Sequence, residues 1–244
     1  LITSAGRRVE LVNSFKTECV KLDKKIKVFC TDVNPELSSA CKVADLYFQA
    51  PKVTSKEYIS FLKKICADNS IVLIIPTIDT ELLILSEHRE EFLKLGINII
   101  ISDTSLIEAC GNKILTTALL KKINIKTPDI YDKKNLIYPC FVKPYDGSCS
   151  IGAFVLNNKS MLTADILDNP KNMFMEYVPK SYDEYTVDIY YDKSGNLKSL
   201  VPRLRIETRA GEISKGLTSK GIVYDYLKDK LCNLKSVRGC INLQ

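Results

Sequence analysis

Over the first hundred residues, short apolar runs alternate with stretches whose apolar positions recur every three or four residues. Leu1-Ile2-Thr3, Lys27 to Thr31, Ile71 to Pro76 and Ile97 to Ile101 read as strands, while Val12, Phe15, Cys19 and Leu22, and then Tyr58, Phe61, Leu62 and Ile65, fall at helical spacing. Strands alternating with helices predict a parallel sheet with crossover helices, a doubly wound α/β lobe. Asn112 is placed to cap a helix from about Lys113 to Lys122, and Thr127-Pro128 then interrupts the pattern. From Pro139 onward strands dominate: Cys140 to Lys143, Ala153 to Leu156, Met173 to Val178, Glu184 to Tyr191 and Leu197 to Glu207. A run of strands after an alternating section predicts a separate α+β region. No internal repeat or low-complexity segment is visible.

A chain of 244 residues fits two or three small lobes, and 45% hydrophobic with 26% charged residues is ordinary for a globular protein. No apolar run approaches the ~18 residues of a membrane helix. Leu1-Ile2 meets Gly6-Arg7-Arg8 too soon for a signal peptide, so a cytoplasmic protein without a membrane partner is expected. The net charge of +6 is modest and interspersed with acids, which favours small anionic ligands over nucleic acid. Nine cysteines make no C-x-x-C pair and read as reduced thiols. His88 is the single histidine and sits in a charged helical stretch, Ser86 to Glu91, which argues against Ser-His-Asp, Cys-His and His-ligated zinc chemistry. The sequence opens without Met inside one apolar run and stops inside another at Cys240 to Gln244, so further residues are expected at both ends.

Ser4-Ala5-Gly6-Arg7-Arg8 follows the first strand and opens the first helix, where backbone N–H groups hold anions, or where a tight turn simply carries two exposed arginines. It has one glycine where a dinucleotide fingerprint needs three. Asp32 is either a ribose-binding acid or a turn former. Pro76 to Glu81 lies at the carboxyl end of a strand, which suits substrate contact, with a plain helix N-cap at Asp79 or Thr80 as the alternative. The strongest segment is Phe141-Val142-Lys143-Pro144 with the loop that follows, Tyr145 to Gly152. Small residues let backbone approach phosphate oxygens while the lysine supplies a point charge; an ordinary hairpin loop is the alternative.

Strand alternation puts Glu184, Thr186 and Asp188 on one face, and Arg203, Arg205 and Glu207 likewise on the next strand. Two arginines opposite carboxylates beside a phosphate-type loop point to an anion-handling cleft; a solvated face is the alternative. Arg209 to Gly216 reads as a mobile polar loop.

In this order and spacing the segments resemble the ATP-grasp superfamily over the whole length, most closely short stand-alone proteins related to the large subunit of carbamoyl-phosphate synthase. The resemblance implies a Rossmann-like pre-ATP-grasp lobe over 1–110, an ATP-grasp small lobe over 111–177 and an incomplete C-terminal lobe over 178–244. It places Lys113 and Lys143 on ATP phosphates, under a loop of Asp146, Gly147, Ser148, Cys149, Ser150, Ile151 and Gly152. Glu176, Tyr177 and Val178 would pass the adenine, and Glu184 would bind the ribose hydroxyls. Arg203, Arg205, Arg209 and Lys215 would act on phosphates or substrate, and Gln244 would be the first magnesium ligand, with Mn2+ as an alternative ion.

Two departures stand out: the family's Glu-x-Asn pair does not follow Gln244, and Cys149 stands where glycine is expected. The implied reaction is activation of a carboxylate or bicarbonate as an acyl phosphate, captured by an amine-type nucleophile, in a homodimeric enzyme. This stretch by itself is expected to bind ATP and turn it over poorly. An ATP-holding regulatory subunit and a nicotinamide-dependent oxidoreductase are the rival readings.

Overall fold

The computed structural model describes residues 1–23, 25–147, 151–179, 181–209 and 212–244, without the Glu212 side chain. The chain divides into two compact units, Leu1–Thr104 and Ser105–Gln244.

In the first unit the elements run α1 (Val9–Leu22), β1 (Phe29–Asp32), α2 (Ser39–Val43), β2 (Leu46–Gln49), α3 (Tyr58–Asp68), β3 (Leu73–Ile74), α4 (Asp79–Glu87), α5 (Arg89–Lys94) and β4 (Asn98–Ile99). β1 pairs with β2 and β3 with β4, both in parallel. Leu1–Thr3 joins the two pairs: Ile2 N–H donates to Phe29 O at 2.8 Å, and Ile75 N–H donates to Leu1 O at 2.8 Å. The sheet order is therefore β2, β1, Leu1–Thr3, β3, β4, and the expected first strand is its centre. Ile2, Ala5, Val12 and Cys30 make the core on this strand, because a central parallel strand is covered on both faces. α3 buries Tyr58, Ile59, Leu62, Ile65 and Cys66, one stripe at helical spacing. β2 was not foreseen, since its four residues are exposed or half-buried and make no alternating run.

The second unit begins with α6 (Thr104–Gly111) and α7 (Lys113–Lys122). Asn112 caps α7 as expected: its side-chain oxygen accepts the N–H groups of Ile114 at 3.0 Å and Leu115 at 3.3 Å. Such a cap stabilises by about 1 kcal/mol. Then follow β5 (Ile130–Tyr131), β6 (Cys140–Pro144), β7 (Phe154–Leu156), α8 (Ala164–Asp168) and β8 (Asn172–Glu176), an antiparallel sheet of order β5-β8-β6-β7 over Cys140, Val142, Leu156 and Phe174. The last elements are β9 (Tyr185–Tyr191), β10 (Leu197–Arg209), β11 (Glu212–Thr218), α9 (Ile222–Leu231) and β12 (Gly239–Leu243), with sheet order β11-β10-β9-β12. The apolar face of β9 packs on α9 through Val187, Ile189, Leu227 and Leu231, and Tyr191 donates its hydroxyl to Leu231 O at 2.9 Å.

The stretch expected as a mobile loop, Arg209 to Gly216, is corrected by β11, which pairs antiparallel with β10 from Arg203 opposite Thr218 to Arg209 opposite Glu212. Its residues read as a loop because an edge strand with exposed Ser214, Lys215 and Thr218 has no buried face to impose alternation. Ala210 and Gly211 lie outside the described residues. His88 is not a solvated face residue either. It joins α4 to α5, half-buried, with Nδ1 2.9 Å from Ile84 O. The eight described cysteines form no disulfide, and Cys149 is outside the description. No helix among the described residues is long and apolar enough to cross a membrane.

Candidate functional site

Two regions were expected to hold ligands, one in each unit. In the first, the crevice where the strand order reverses lies between Leu1–Thr3 and β3, the usual ligand position in an open parallel sheet. Here the chain fills it with its own groups. Ser4 and Gly6 take positive φ, +50° and +53°, which turns the Gly6 N–H onto Asp32 Oδ2 at 2.9 Å. Asp32 Oδ1 accepts the Asn34 N–H at 3.0 Å, so Asp32 is a turn lock rather than a free ribose acid. Across the crevice Glu81 is fully buried, and it accepts from Tyr58 OH at 2.6 Å, Thr77 N–H at 2.8 Å and Ser4 Oγ at 3.2 Å. Glu81, and not Asp79 or Thr80, thus satisfies the start of α4. Burial, with the Glu81 carboxylate as second cause, raises the Tyr58 phenol well above its ordinary range. A dinucleotide phosphate has no free N–H cradle among these partners.

The second unit contains a pocket of about 610 Å³, a size typical of small-ligand sites. α7, the linker to β5, α9 and the ends of β6, β8, β9 and β12 wall it. Most of the lining is apolar, including Leu120, Met175, Val187 and Leu243, but Lys113 and Lys143 both face it. Their positions follow from local structure. Lys113 is the first residue after the Asn112 cap, and Lys143 is the last full position of β6 before Pro144, opposite Met173 of β8.

Both lysines are half-buried and both pKa values fall, for Lys143 through desolvation and then repulsion from Lys113, for Lys113 through desolvation partly offset by Asp146. Lys113 Nζ donates to the carbonyls of Gly147 and, at 3.5 Å, Tyr145. The Lys143 ammonium lies 5.8 Å from the Phe141 ring centroid and has no hydrogen bond or ion pair among the described residues. A desolvated cation without a counter-charge is costly, and its natural complement is an anion.

The root of the expected phosphate loop is firmly placed. Tyr145 O accepts the Lys113 N–H at 2.9 Å, and exposed Asp146 pairs with Lys171 at 2.7 Å, which holds its carboxyl below the usual range. A Cβ at Gly147 or Gly152 would come within 3.2 Å of the Pro144 ring, and Gly152 also takes φ +73°. Both glycines are needed for packing on Pro144. Ile151 is exposed; Ser148, Cys149 and Ser150 lie outside the described residues.

The polar face of the second sheet joins the other expected residues. The Gln244 amide, at the pocket rim, donates to Glu184 Oε1, and Glu184 Oε2 is 3.5 Å from Arg205 Nε. The Arg205 side chain is 7% exposed and donates to Thr186 Oγ1 at 2.8 Å. Arg203 pairs with Asp188 at 2.7 Å, and Asp188 also accepts the Asn242 amide at 2.9 Å. Arg209 and Lys215 stand apart, both on Glu207, at 3.1 and 2.6 Å. Glu176, Tyr177 and Val178 do not line the pocket; the Glu176 carboxylate instead accepts the Asp129 N–H at 3.3 Å.

Residues 1–100 match the PylC-like N-terminal domain family. The chain is 32% identical over 164 residues to the alpha-aminoadipate–LysW ligase LysX of Saccharolobus solfataricus, an alignment covering 60% of this chain and 52% of that protein, so it spans about half the length of that curated relative. L-amino acid ligase from Bacillus licheniformis superposes with a TM-score of 0.69 at 12% identity, covering 99% of this chain and 61% of that one. The biotin carboxylase domain of 2-oxoglutarate carboxylase from Hydrogenobacter thermophilus, solved with magnesium ADP and bicarbonate, gives 0.69 at 16% identity, covering 94% and 57%. The chain has the ATP-grasp fold.

In ATP-grasp terms the pocket lies against both antiparallel sheets, with Lys113 and Lys143 at one end. The donor set fits a polyphosphate there. It does not make a metal site: no three His, Cys, Asp or Glu side chains converge among the described residues, and Gln244 contributes a single amide. Thr127, Met175, Tyr226 and Leu243 also line the pocket and were not singled out in the sequence. The nearest signal was the Thr127-Pro128 break in the helical pattern.

Proposed function

We propose that the protein is an ATP-dependent ligase whose nucleotide lies in the second unit's pocket. The observation that carries this reading is Lys143, a half-buried ammonium with no anionic partner among the described residues, facing the same pocket as Lys113. A carboxylate oxygen attacks the γ-phosphorus, the bond to the β-phosphate oxygen breaks, and an acyl phosphate and ADP form. An amine then attacks the acyl carbon, and phosphate leaves with the carbon–oxygen bond electrons. Lys113 and Lys143 hold the phosphate charge, and Arg203 and Arg205 offer guanidinium groups on the polar sheet face toward an acidic substrate.

Magnesium, or manganese in its place, enters with the nucleotide as its counter-ion. The substrates are small molecules, a carboxylate and an amine, and the assembly a homodimer. The names of LysX and L-amino acid ligase support an amino-acid carboxylate, while kinship to the carbamoyl-phosphate synthase large subunit would favour bicarbonate. An ADP-release screen over amino acids, small carboxylates and bicarbonate, with and without amines, separates these. Carboxylate-dependent ADP release supports the ligase, and ATP binding with no release under any pairing would favour a regulatory nucleotide-holding role.

A further inference from the structure

Three threonine hydroxyls line the pocket, and they are not alike. Thr116 Oγ1 donates to Ala109 O at 2.9 Å and Thr117 Oγ1 to Lys113 O at 2.8 Å, the usual way a helical threonine satisfies itself. Thr127 Oγ1 is shielded from solvent and meets no hydrogen-bond partner among the described residues. A buried hydroxyl without a partner has lost its hydration for nothing in return, and such groups are rare unless a ligand or water completes them.

Its place along the pocket is defined by the first sheet. Ile130 pairs with Met175, and Asp129 O accepts the Glu176 N–H at 2.8 Å, so Thr127 continues past the Glu176 end of β8. Lys143 lies opposite Met173, nearer the other end. Met173 to Glu176 spans roughly 10 Å of strand. The pocket thus has Lys113 and Lys143 at one end and Thr127, beside Lys126 and Tyr226, toward the other, separated by about the reach from the phosphates of a nucleotide to its base.

Thr127 is also held in position. The neighbouring Lys126 N–H donates to Tyr226 OH of α9 at 2.8 Å, and the Lys230 ammonium covers the same ring at 3.2 Å from its centroid. A fixed hydroxyl selects a ligand group by direction as well as distance.

We infer that Thr127 is a specificity-determining residue whose hydroxyl hydrogen-bonds the base of the bound nucleoside triphosphate, at the end of the pocket away from Lys113 and Lys143. This inference rests on the reading of the pocket as the ATP site.

The test compares wild type, Thr127→Val and Thr127→Ser by calorimetric titration with ATP and with inorganic tripolyphosphate, which has no base, alongside thermal melts of the free proteins. Thr127→Val keeps the shape and loses the hydroxyl. It should bind ATP about tenfold more weakly, the scale of one hydrogen bond, with tripolyphosphate affinity and free-protein melting unchanged. Thr127→Ser should recover most of the loss. Equal ATP affinity for Thr127→Val and wild type would overturn the inference alone, as would an equal loss for tripolyphosphate, which would show general damage to the pocket. Failure of wild type to bind ATP would overturn the ATP-site reading and this inference with it.

Discussion

Lys143→Met is the most informative single substitution in the pocket. Methionine keeps the length of the side chain and removes the charge. In the free protein Lys143 is half-buried, without an ion-pair partner among the described residues and depressed in pKa by desolvation and by Lys113, so removing the charge relieves a penalty and leaves stability unchanged or higher. With nucleotide bound the same charge makes a charge-assisted hydrogen bond to phosphate worth about 1.5–3 kcal/mol, so its loss raises the dissociation constant roughly 10- to 150-fold. Binding weakens while stability does not fall only if the residue serves an anion.

The pH dependence gives a second handle on Lys143. Its folded pKa lies below the unfolded value, so the folded state binds fewer protons over the window between them, and its penalty is full below the folded pKa and gone above the unfolded one. Wild-type stability should therefore gain on Lys143→Met as pH rises toward about 10.4. Calorimetric titration with ADP at low salt and melts from neutral to alkaline pH read both quantities. Dissociation constants within twofold of each other, or a variant that melts several degrees lower, would refute the reasoning.

Glu81→Gln should lower stability by about 1–3 kcal/mol in urea unfolding, because a buried carboxylate accepting from Tyr58, Ser4 and Thr77 is replaced by an amide with one acceptor; an unchanged midpoint would show that the crevice is not held by this group. Asp192 accepts the backbone N–H groups of Asn196 and Ser194, which lowers its pKa to about 2. Its contribution is full above the unfolded value near 3.9 and is lost as pH falls through about 2. Asp192→Asn should therefore melt below wild type at neutral pH and converge with it on acidification, and parallel melting curves would count against this linkage.

Legibility in the sequence followed burial. α7 could be read to the residue because Asn112 caps it and its pattern is local. The central strand Leu1–Thr3 was visible as an apolar run, whereas β2 and β11 were not, because edge positions leave their side chains exposed or half-buried. In the site, Lys143 came from a strand-end lysine followed by a loop of small residues, and strand alternation put Arg203 and Arg205 opposite carboxylates, which the structure resolves as pairs with Asp188 and Glu184. The adenine-side expectation for Glu176 met a side chain turned onto Asp129. Thr127 and Tyr226 were invisible for a different reason: the contact that fixes them joins Lys126 to a residue one hundred positions away, and no local pattern encodes it.

The central claim is that one pocket in the second unit takes a nucleotide through Lys113 and Lys143. Titration of ADP into the wild-type protein and into a Lys113→Met, Lys143→Met double variant, each shown folded by its melting curve, tests it directly. The account requires saturable binding at one site in wild type, competed by ATP, and its loss in the double variant; a folded wild type with no binding at millimolar ADP, or a double variant that binds as wild type does, would contradict it.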